Sequence, residues 1–505
     1  MMEKRNSKRD SGILLHITSL PGLYGIGDIG NNAKLFIDDM VRMGQTHWQI
    51  LPTNHTTSYN SPYDTNSAFA QNPMLISLDM LIDDGLITMS ELNPIPFFNS
   101  ARVEFKKVSD WKMPILVKAA NRFLTRLDYD EKKIFDSFCK ENDFWLKDYV
   151  LFLTLKDNYE GKLWCNWNFK YGNQNRHKLK KVINEKKTQM DELRVLQYLF
   201  FKQWKKLKKY ANNNGVKIIG DIPIYVSYDS SDVWSNQHLF KLNSHGKMKF
   251  QSGCPPDFWS STGQMWGHPI YDWDEHHRTD YEWWTNRIHH LMKYVDVIRI
   301  DHFNGLAKYW EIPAKDKNGL NGKWVNAKGK ELLKHVYETI DKVSFIAEDL
   351  GEAASDAAKL RLPYLIPGMH VLQLSFHDNN PFDNMEENTV VYTGTHDNDT
   401  LLGYIQPLLK EDLKEDKMNE GKIIKKIISD NSKDLNWTMI EYCLRSGGNL
   451  AIIPLQDLLG LDNSGRMNTP GTISNENWSW RFDSFELTND IIRKMRSITS
   501  RTKRI

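Results

Sequence analysis

The chain has 505 residues, enough for two or three average domains, although a single α/β barrel with insertions also reaches this length. Its 66 basic and 64 acidic side chains give a formal net charge of +2, which excludes a strong long-range field that would attract nucleic acid or an anionic membrane. This balance suits a neutral or small polar substrate.

Cysteine usage and the distribution of apolar residues restrict the compartment. Four cysteines lie far apart without a C-x-x-C pair, which predicts neither a disulfide framework nor a zinc site. The apolar run behind the basic N-terminal residues is too short for a signal peptide, and no apolar stretch is long enough to span a bilayer. We therefore expect a cytoplasmic protein with no cofactor, no metal, and no nucleic-acid or membrane partner.

Eight short apolar or β-branched runs, each ending in a polar residue, predict the parallel strands of a barrel. They are residues 12–17, 47–51, 216–221, 295–301, 344–348, 369–376, 390–393 and 449–453. Helical patterns such as 33–43 and 330–340 lie between most of them. This alternation predicts the α/β class and a single (β/α)8 TIM barrel over residues 1–505.

Residues 25–30 match G-x-G-x-x-G and precede a predicted helix, as a dinucleotide-binding turn does. The preceding strand ends near Ile17, too far upstream for that turn, and the second strand carries no carboxylate for a ribose. The context therefore argues against nucleotide binding.

The interval between the second and third predicted strands is too long for a loop. Amphipathic stretches near 131–156 and 191–212 predict a largely helical inserted subdomain at residues 75–213. The second stretch contains a run of five lysines between 202 and 209 that resembles a polyanion site. Trp204 and Leu207 on the opposite side favour an ordinary solvated helix face instead.

The fourth predicted strand closes on Arg299-Ile-Asp301. Side chains two residues apart share a face, so both should point into the barrel mouth, where barrel enzymes place their catalytic groups. The arginine is expected to lower the pKa of Asp301 and keep it ionised. A purely structural ion pair is the alternative.

Two further strand ends carry acids. Glu348 ends the fifth strand, where a half-buried carboxyl beside other acids is expected to have a raised pKa and to act as a proton donor. Asp397, with His396 beside it, follows the seventh strand. Two acids on neighbouring strands suit cleavage of a glycosidic bond with retention, Asp301 attacking the anomeric carbon and Glu348 protonating the leaving oxygen.

The motifs RIDHF, AEDLG and THDN at these strand ends resemble those of the α-amylase clan. Longer stretches, among them LLHITSLPG, SPYDTNSAFAQNP, GDIPIYV, GCPPDFWSSTGQMWGHPIY and RMNTPG, resemble the 4-α-glucanotransferases (amylomaltases) of glycoside hydrolase family seventy-seven. The resemblance covers nearly the whole chain. It implies hexosyltransferase activity: transfer of an α-1,4-glucan segment from a maltooligosaccharide to the 4-hydroxyl of a glucan or of glucose.

The resemblance also implies a role for individual residues. It makes Asp301 the nucleophile, Glu348 the general acid/base and Asp397 the stabilising acid. It further implies a set of substrate-binding residues, some of them on an active-site covering loop at residues 250–275: Arg299, His396, Asp221, Tyr63, Ser61, Asp257, Gln264, Trp266 and Asn468.

The sequence departs from the family pattern at a few positions near the covering loop. Phe258 stands where the family usually has tyrosine, and His268 where asparagine is common. Residues 326–328, Asn-Ala-Lys, replace a usual glycine-proline pair. These changes are expected to affect chain-length preference more than reaction type.

Two other functions remain open at this stage. A hydrolase of the same clan shares every step up to the glycosyl-enzyme and differs only in using water as the acceptor. A non-catalytic glucan-binding protein would use the same aromatic and acidic side chains. The sequence leaves the oligomeric state undetermined.

Overall fold

The computed structural model describes residues 9–167, 176–256, 260–376, 381–382, 385–410, 415–428 and 434–505. Eight parallel strands form the central sheet: β1 Asp10–Leu14, β2 His47–Gln49, β3 Lys217–Pro223, β6 Val297–Asp301, β9 Phe345–Ala347, β10 Gly368–Val371, β11 Thr389–Tyr392 and β12 Leu450–Pro454. All eight correspond to the strands predicted from sequence, shifted by a few residues at their ends.

The strand order β10-β11-β12-β1-β2-β3-β6-β9 is that of a barrel opened at one seam. The seam lies between β9 and β10, where the Ala347 N–H donates to Pro367 O at 2.9 Å and draws the two edges together. Strand residues such as Ile13, Trp48 and Ile219 are completely buried. Burial on both faces explains why the strands are continuous apolar runs, and it confirms the (β/α)8 architecture.

Helices surround the barrel and fill the insertion between β2 and β3. Those up to β3 are α1 Asn31–Arg42, α2 Leu78–Asp83, α3 Phe105–Arg126, α4 Tyr129–Glu141, α5 Asp143–Asn158, α6 Arg176–Glu185 and α7 Lys187–Asn213. Those after β3 are α8 Ser231–Ser235, α9 Trp273–Arg278, α10 Glu282–Met292, α11 Asn304–Ala307, α12 Gly329–Thr339, α13 Ala354–Arg361, α14 Leu401–Leu408, α15 Glu415–Ile428, α16 Leu435–Arg445, α17 Leu455–Leu459 and α18 Asn489–Arg501.

The predicted helix at 131–156 is two helices, α4 and α5, separated at Asn142. The Asn142 side chain donates to Phe138 O at 2.8 Å and accepts from Trp145 Nε1 at 3.1 Å. These bonds compete with the helical backbone pattern and end α4 there.

The last helix of the insertion, α7, also belongs to the barrel. Its Trp204 indole donates to Tyr294 O at 2.7 Å, and Lys208 donates to Val295 O at 2.7 Å, just before β6. Trp204 and Leu207 are buried, as predicted for the inward side of the lysine-bearing helix. Among the residues described, no helix combines the length and apolarity needed to cross a bilayer.

A second sheet was not predicted from sequence. Its antiparallel strands, in the order β5-β4-β7-β8, are β4 Phe250–Cys254, β5 Gln264–Pro269, β7 Lys308–Pro313 and β8 Lys323–Asn326. Within the segment 250–275, expected to be an active-site covering loop, β4 and β5 form an antiparallel hairpin that β7 anchors, and residues 257–259 lie outside the described residues. Its glycines and prolines concealed the strand pattern, since those residues usually mark loops.

Candidate active site

The strands β3, β6 and β9 end together at the C-terminal mouth of the barrel. Asp221 of β3 pairs in register with Arg299 of β6, and β9 pairs with β6 on its other side. Arg299 and Asp301 share a face of β6, and Glu348 is the first residue after β9. We refer to Asp221, Arg299, Asp301 and Glu348 as the strand-end cluster.

The guanidinium of Arg299 contacts all three carboxylates of this cluster. Its Nη1 donates to Asp221 Oδ2 at 2.5 Å and to Asp301 Oδ1 at 3.2 Å. Its Nη2 lies 2.9 Å from Glu348 Oε2. Arg299 and Asp221 are almost fully buried, whereas the side chains of Asp301 and Glu348 are 24% and 22% exposed. The buried pair thus forms the floor, and the two exposed acids face the solvent.

The two exposed acids differ in their affinity for protons. Burial and the neighbouring charge of Glu348 raise the pKa of Asp301 well above its ordinary value. Burial opposes ionisation of Glu348 too, but Arg299 and the His302 backbone N–H, which donates to Oε2 at 2.7 Å, outweigh it and lower the Glu348 pKa. The two carboxyls therefore titrate as a coupled pair, in which the pKa of Asp301 is raised and that of Glu348 is lowered.

These pKa directions are opposite to the sequence-based expectation of a lowered pKa for Asp301 and a raised pKa for Glu348. Arg299 was expected to serve Asp301 alone, but its guanidinium is divided among three carboxylates and lies nearest to Asp221. Of the three carboxylates, Asp301 is consequently stabilised least by the positive charge of Arg299. The strand pattern identifies the Arg-x-Asp pair and Glu348, but it does not reveal that one guanidinium is divided among these acids and Asp221.

A second group, the loop cluster, consists of His396, Asp397, Arg466 and Asn468. His396 and Asp397 lie in the loop after β11, and the other two lie near the C-terminus. The Asn468 side-chain amide donates to Asp397 Oδ1 at 2.6 Å, and Arg466 Nη2 donates to the main-chain oxygen of Asp397 at 2.7 Å. His396 Nε2 lies 3.4 Å from Asp397 Oδ2. The Asp397 side chain is 42% exposed, so it is held in place chiefly by these two neighbours.

Asp457 holds both ends of the loop after β11 from below. Thr393 Oγ1 donates to its Oδ2 at 2.6 Å, and the Leu401 N–H donates to its Oδ1 at 2.7 Å. Burial raises the pKa of Asp457 to about 6. This carboxylate is almost fully buried and serves as an anchor for the loop.

Tyr63 joins the two clusters. Its hydroxyl donates to Asp221 Oδ2 at 2.7 Å, and its ring stacks on His396 with centroids 5.1 Å apart and planes 12° apart. Trp478 packs against both rings, at 5.7 Å from Tyr63 and 5.9 Å from His396. The result is an aromatic wall beside the acids.

Three more of the predicted substrate-binding residues, Trp266, Gln264 and Ser61, contact other residues near the mouth. Trp266 meets the ring of His302 edge-on at 4.8 Å, and its indole N–H donates to Gln264 Oε1 at 3.2 Å. The Ser61 hydroxyl accepts from the Tyr63 N–H at 3.2 Å and so shapes the turn before that ring. Asp257 and Phe258 lie outside the described residues.

Sequence reasoning missed three residues of this site: His302, Arg466 and Trp478. His302 adopts a left-handed conformation, with φ +48°, that directs its N–H to Glu348. Arg466 is the first residue of the RMN motif, but the sequence does not show that it supports the loop after β11. Trp478 gave no signal, because a lone tryptophan is usually a core residue.

Two of the departures from the family pattern, His268 and residues 326–328, lie within the described residues. His268 stacks on Tyr225 with centroids 6.2 Å apart, and burial lowers the His268 pKa, so the ring is neutral. Lys328 pairs with Asp274 at 2.5 Å. Neither residue contacts the strand-end cluster.

Comparisons with known proteins agree with this geometry. Residues 15–488 match the family model described as 4-alpha-glucanotransferase. The chain is 39% identical over 499 residues to a 4-alpha-glucanotransferase of Aquifex aeolicus, covering 98% of this chain and 99% of that protein. It is 38% identical to the chloroplastic/amyloplastic 4-alpha-glucanotransferase of Solanum tuberosum, covering 98% and 86%. The structure of an amylomaltase from Streptococcus agalactiae in complex with acarbose superposes with a TM-score of 0.92 at 34% identity, covering 98% of this chain and all of that one.

Proposed function

This chain belongs to the 4-alpha-glucanotransferase family, and from this premise we propose that it transfers an α-1,4-glucan segment between maltooligosaccharides with retention at the anomeric carbon. The donor is an α-1,4-glucan, and the acceptor is the 4-hydroxyl of another glucan or of glucose. The supporting observation is the pair of part-exposed acids, Asp301 and Glu348, that share the Arg299 guanidinium at the barrel mouth.

In the first step Asp301 attacks the anomeric carbon of the donor, and the bond to the leaving 4-oxygen breaks. Glu348 protonates that oxygen as it departs. The products are a glucosyl ester on Asp301, a free glucan with a new non-reducing end, and an ionised Glu348. This step requires an ionised Asp301 and a protonated Glu348 at the moment the glycosidic bond breaks.

In the second step the ionised Glu348 removes the proton from the acceptor 4-hydroxyl, whose oxygen attacks the anomeric carbon and releases Asp301. Two inversions give net retention. Arg299 and the His302 N–H lower the pKa of Glu348, so its ionised form is stable between the steps. Water would give hydrolysis instead, and a sugar positioned next to the hairpin of β4 and β5 competes with it through orientation.

The loop cluster is proposed to bind the sugar that becomes attached. His396 and Asp397 are placed to accept and donate hydrogen bonds to sugar hydroxyls, and the Tyr63 ring offers a face for the apolar side of the pyranose. Asn468 and Arg466 hold Asp397 while it does so. This arrangement supports the proposed stabilising role of Asp397.

Two further proposals concern the cellular compartment and inhibition. The four cysteines are free thiols, which suits the reducing cytoplasm. The related Streptococcus agalactiae amylomaltase is described in complex with acarbose, and we propose that the same compound competes with the donor here.

The test is incubation with maltotriose, following products and the total concentration of reducing ends. We expect longer maltooligosaccharides plus glucose at constant reducing ends, because transfer conserves the number of glycosidic bonds. Glu348→Gln should lower the rate by about 10²–10⁴-fold, the usual contribution of a general acid, and Asp301→Ala should abolish it. Glu338→Gln, a side chain 63% exposed on α12, is the matched control and should retain full activity.

With α-maltosyl fluoride, which needs no acid to leave, Glu348→Gln should accumulate a protein adduct heavier by one maltosyl unit, and Asp301→Ala should form none. A steady rise in reducing ends with only shorter products would make the protein a hydrolase. Binding of maltooligosaccharides without any turnover would make it a glucan-binding protein.

A further inference from the structure

A second cavity of about 150 Å³ lies on the flank of the barrel, between the inserted helix α5 and the helices α8 and α10. A water molecule needs roughly 10–15 Å³ measured in this way, so the cavity has room for about ten. We call it the flank pocket. It has no residue in common with the strand-end cluster or the loop cluster.

One side of the flank pocket is aromatic. Phe69 lies at its back and contacts Phe144, Trp145 and Trp283, with ring centroids 5.4, 6.2 and 6.0 Å away. Trp145 and Trp283 are almost fully buried, but Phe144 is 41% exposed at the rim. A large apolar ring held half in solvent beside an open cavity is typical of a surface on which a sugar face packs.

The other side of the flank pocket is polar and acidic. Asp232 is buried, and its Oδ2 accepts from the Ala68 N–H at 2.8 Å. Asp148, Glu282 and Asn286 stand around the opening. Arg287, which packs on the Trp283 ring at 5.2 Å outside the lining, offsets the charge of Asp232. The lining itself contains no lysine or arginine, so Asp148 and Glu282 make it unfavourable for phosphate and other anions.

The relation between Trp283 and Asp232 narrows the ligand class further. The buried indole N–H of Trp283 lies close to the Asp232 carboxylate, yet it makes no hydrogen bond of normal geometry with any described residue. A hydroxyl group can accept from the indole and donate to the carboxylate at the same time. An ammonium group can satisfy only the carboxylate, since it has no acceptor.

We propose that the flank pocket is a second carbohydrate-binding site that takes one glucosyl unit of an α-glucan, separate from the unit being transferred. The aromatic rim receives the face of the ring, and the Trp283–Asp232 pair holds a hydroxyl. The identity of the sugar rests on the proposed function, since a glucan is the polyhydroxylated polymer that this protein would meet.

The position of the flank pocket suits a long chain that also enters the active site. Helix α8 follows β3, whose end carries Asp221, and α10 runs towards the start of β6, so its first turn lies at the same end of the barrel as the acids. A glucan bound in the flank pocket and in the active site at once gains affinity through effective concentration. A donor too short to reach both sites lacks this gain.

The experiment uses calorimetric titration of maltoheptaose into the Asp301→Ala protein, where turnover is stopped. We expect two classes of site. Trp283→Phe, which keeps the ring and removes the N–H, should weaken the second class by about 5–10-fold, the usual effect of one lost hydrogen bond. Trp284→Phe is the matched control, because this neighbouring tryptophan is buried and does not line the pocket.

Activity assays on proteins that retain Asp301 separate this proposal from the proposed function. With Trp283→Phe or Phe144→Ala, KM for amylose should rise several-fold, while kcat for maltotriose stays within about twofold of wild type. Normal transfer together with a single class of binding site, or equal effects of Trp283→Phe and Trp284→Phe, would overturn the flank pocket alone. Trp283-dependent binding of tetramethylammonium without glucan binding would overturn it as well. Absence of transfer by the unmodified protein would refute the proposed function instead.

Discussion

The strand-end cluster and the loop cluster face the same opening, but different parts of the chain hold them. In the first, the barrel register places Asp221 beside Arg299, and charge joins the members to one another. In the second, the key acid, Asp397, lies beyond the end of its strand and is held by Asn468 and Arg466 from near the C-terminus.

This difference predicts how activity responds to substitutions in each cluster. The strand-end cluster is geometrically rigid and electrostatically strained, because three acids surround one arginine. The loop cluster is held mainly by hydrogen bonds, so it should lose function gradually as they are removed. Three substitutions test this contrast.

The largest effect is expected from Arg299→Lys. A lysine is a point charge without a planar fork and cannot contact three carboxylates at once. We expect kcat for maltotriose transfer to fall by about 10²–10³-fold, the range reported for removing one preorganised electrostatic contact.

Arg361→Lys is the control for this substitution. Arg361 is also buried and pairs with two acids, Asp349 at 2.6 Å and Glu386 at 3.4 Å, but it lies outside the cluster. Similar losses in the two variants would mean that any buried arginine matters for folding, and the contrast would be lost.

A smaller effect is expected from Asn468→Ala in the loop cluster. The substitution removes one hydrogen bond to Asp397 and leaves Arg466 in place, so kcat/KM should fall by about 10-fold, close to the cost of a charge-assisted hydrogen bond. Steady-state kinetics with maltotriose measures it. Asn477→Ala, which removes side-chain bonds confined to residues 469–472, should change kcat/KM by less than about twofold. A loss as large as that of Arg299→Lys would show that the loop cluster is just as rigid.

The smallest effect concerns stability. The folded-state pKa of Asp301 is raised above its unfolded value, so the carboxyl favours folding while protonated, and this contribution is lost as the pH rises through the folded pKa. Asp301→Asn should therefore stabilise the protein by about 1 kcal/mol at about pH 8 and by less at about pH 5. Denaturant unfolding at the two pH values measures the difference.

Asp397→Asn is the comparison for stability. Its side chain is 42% exposed and accepts from Asn468, so it should give no gain in the free energy of unfolding at either pH. A gain equal to that of Asp301→Asn would remove the electrostatic distinction between the two clusters.

The sequence was sufficient to predict the barrel and the acids of the strand-end cluster. Buried parallel strands are continuous apolar runs, and a charged residue that interrupts such a run at its end is conspicuous, as at Arg299 and Asp301. The eight strands could therefore be located, and with them the mouth of the barrel.

Other features depend on contacts between distant segments and could not be predicted. The proton preference of Asp301 and Glu348 depends on how one guanidinium is divided, which no local pattern encodes. The strands β4 and β5 were hidden by glycine and proline. The flank pocket joins α5, α8 and α10, whose aromatic residues each read as ordinary core positions.

One consequence follows from the arrangement of Arg299. Three acids and one guanidinium leave the site short of positive charge even after it takes up a proton. A resting glucan, which is neutral, does not correct this imbalance. A sugar ring whose anomeric carbon becomes cationic does correct it. The barrel mouth therefore lacks one positive charge, and the substrate supplies that charge only while the glycosidic bond is breaking.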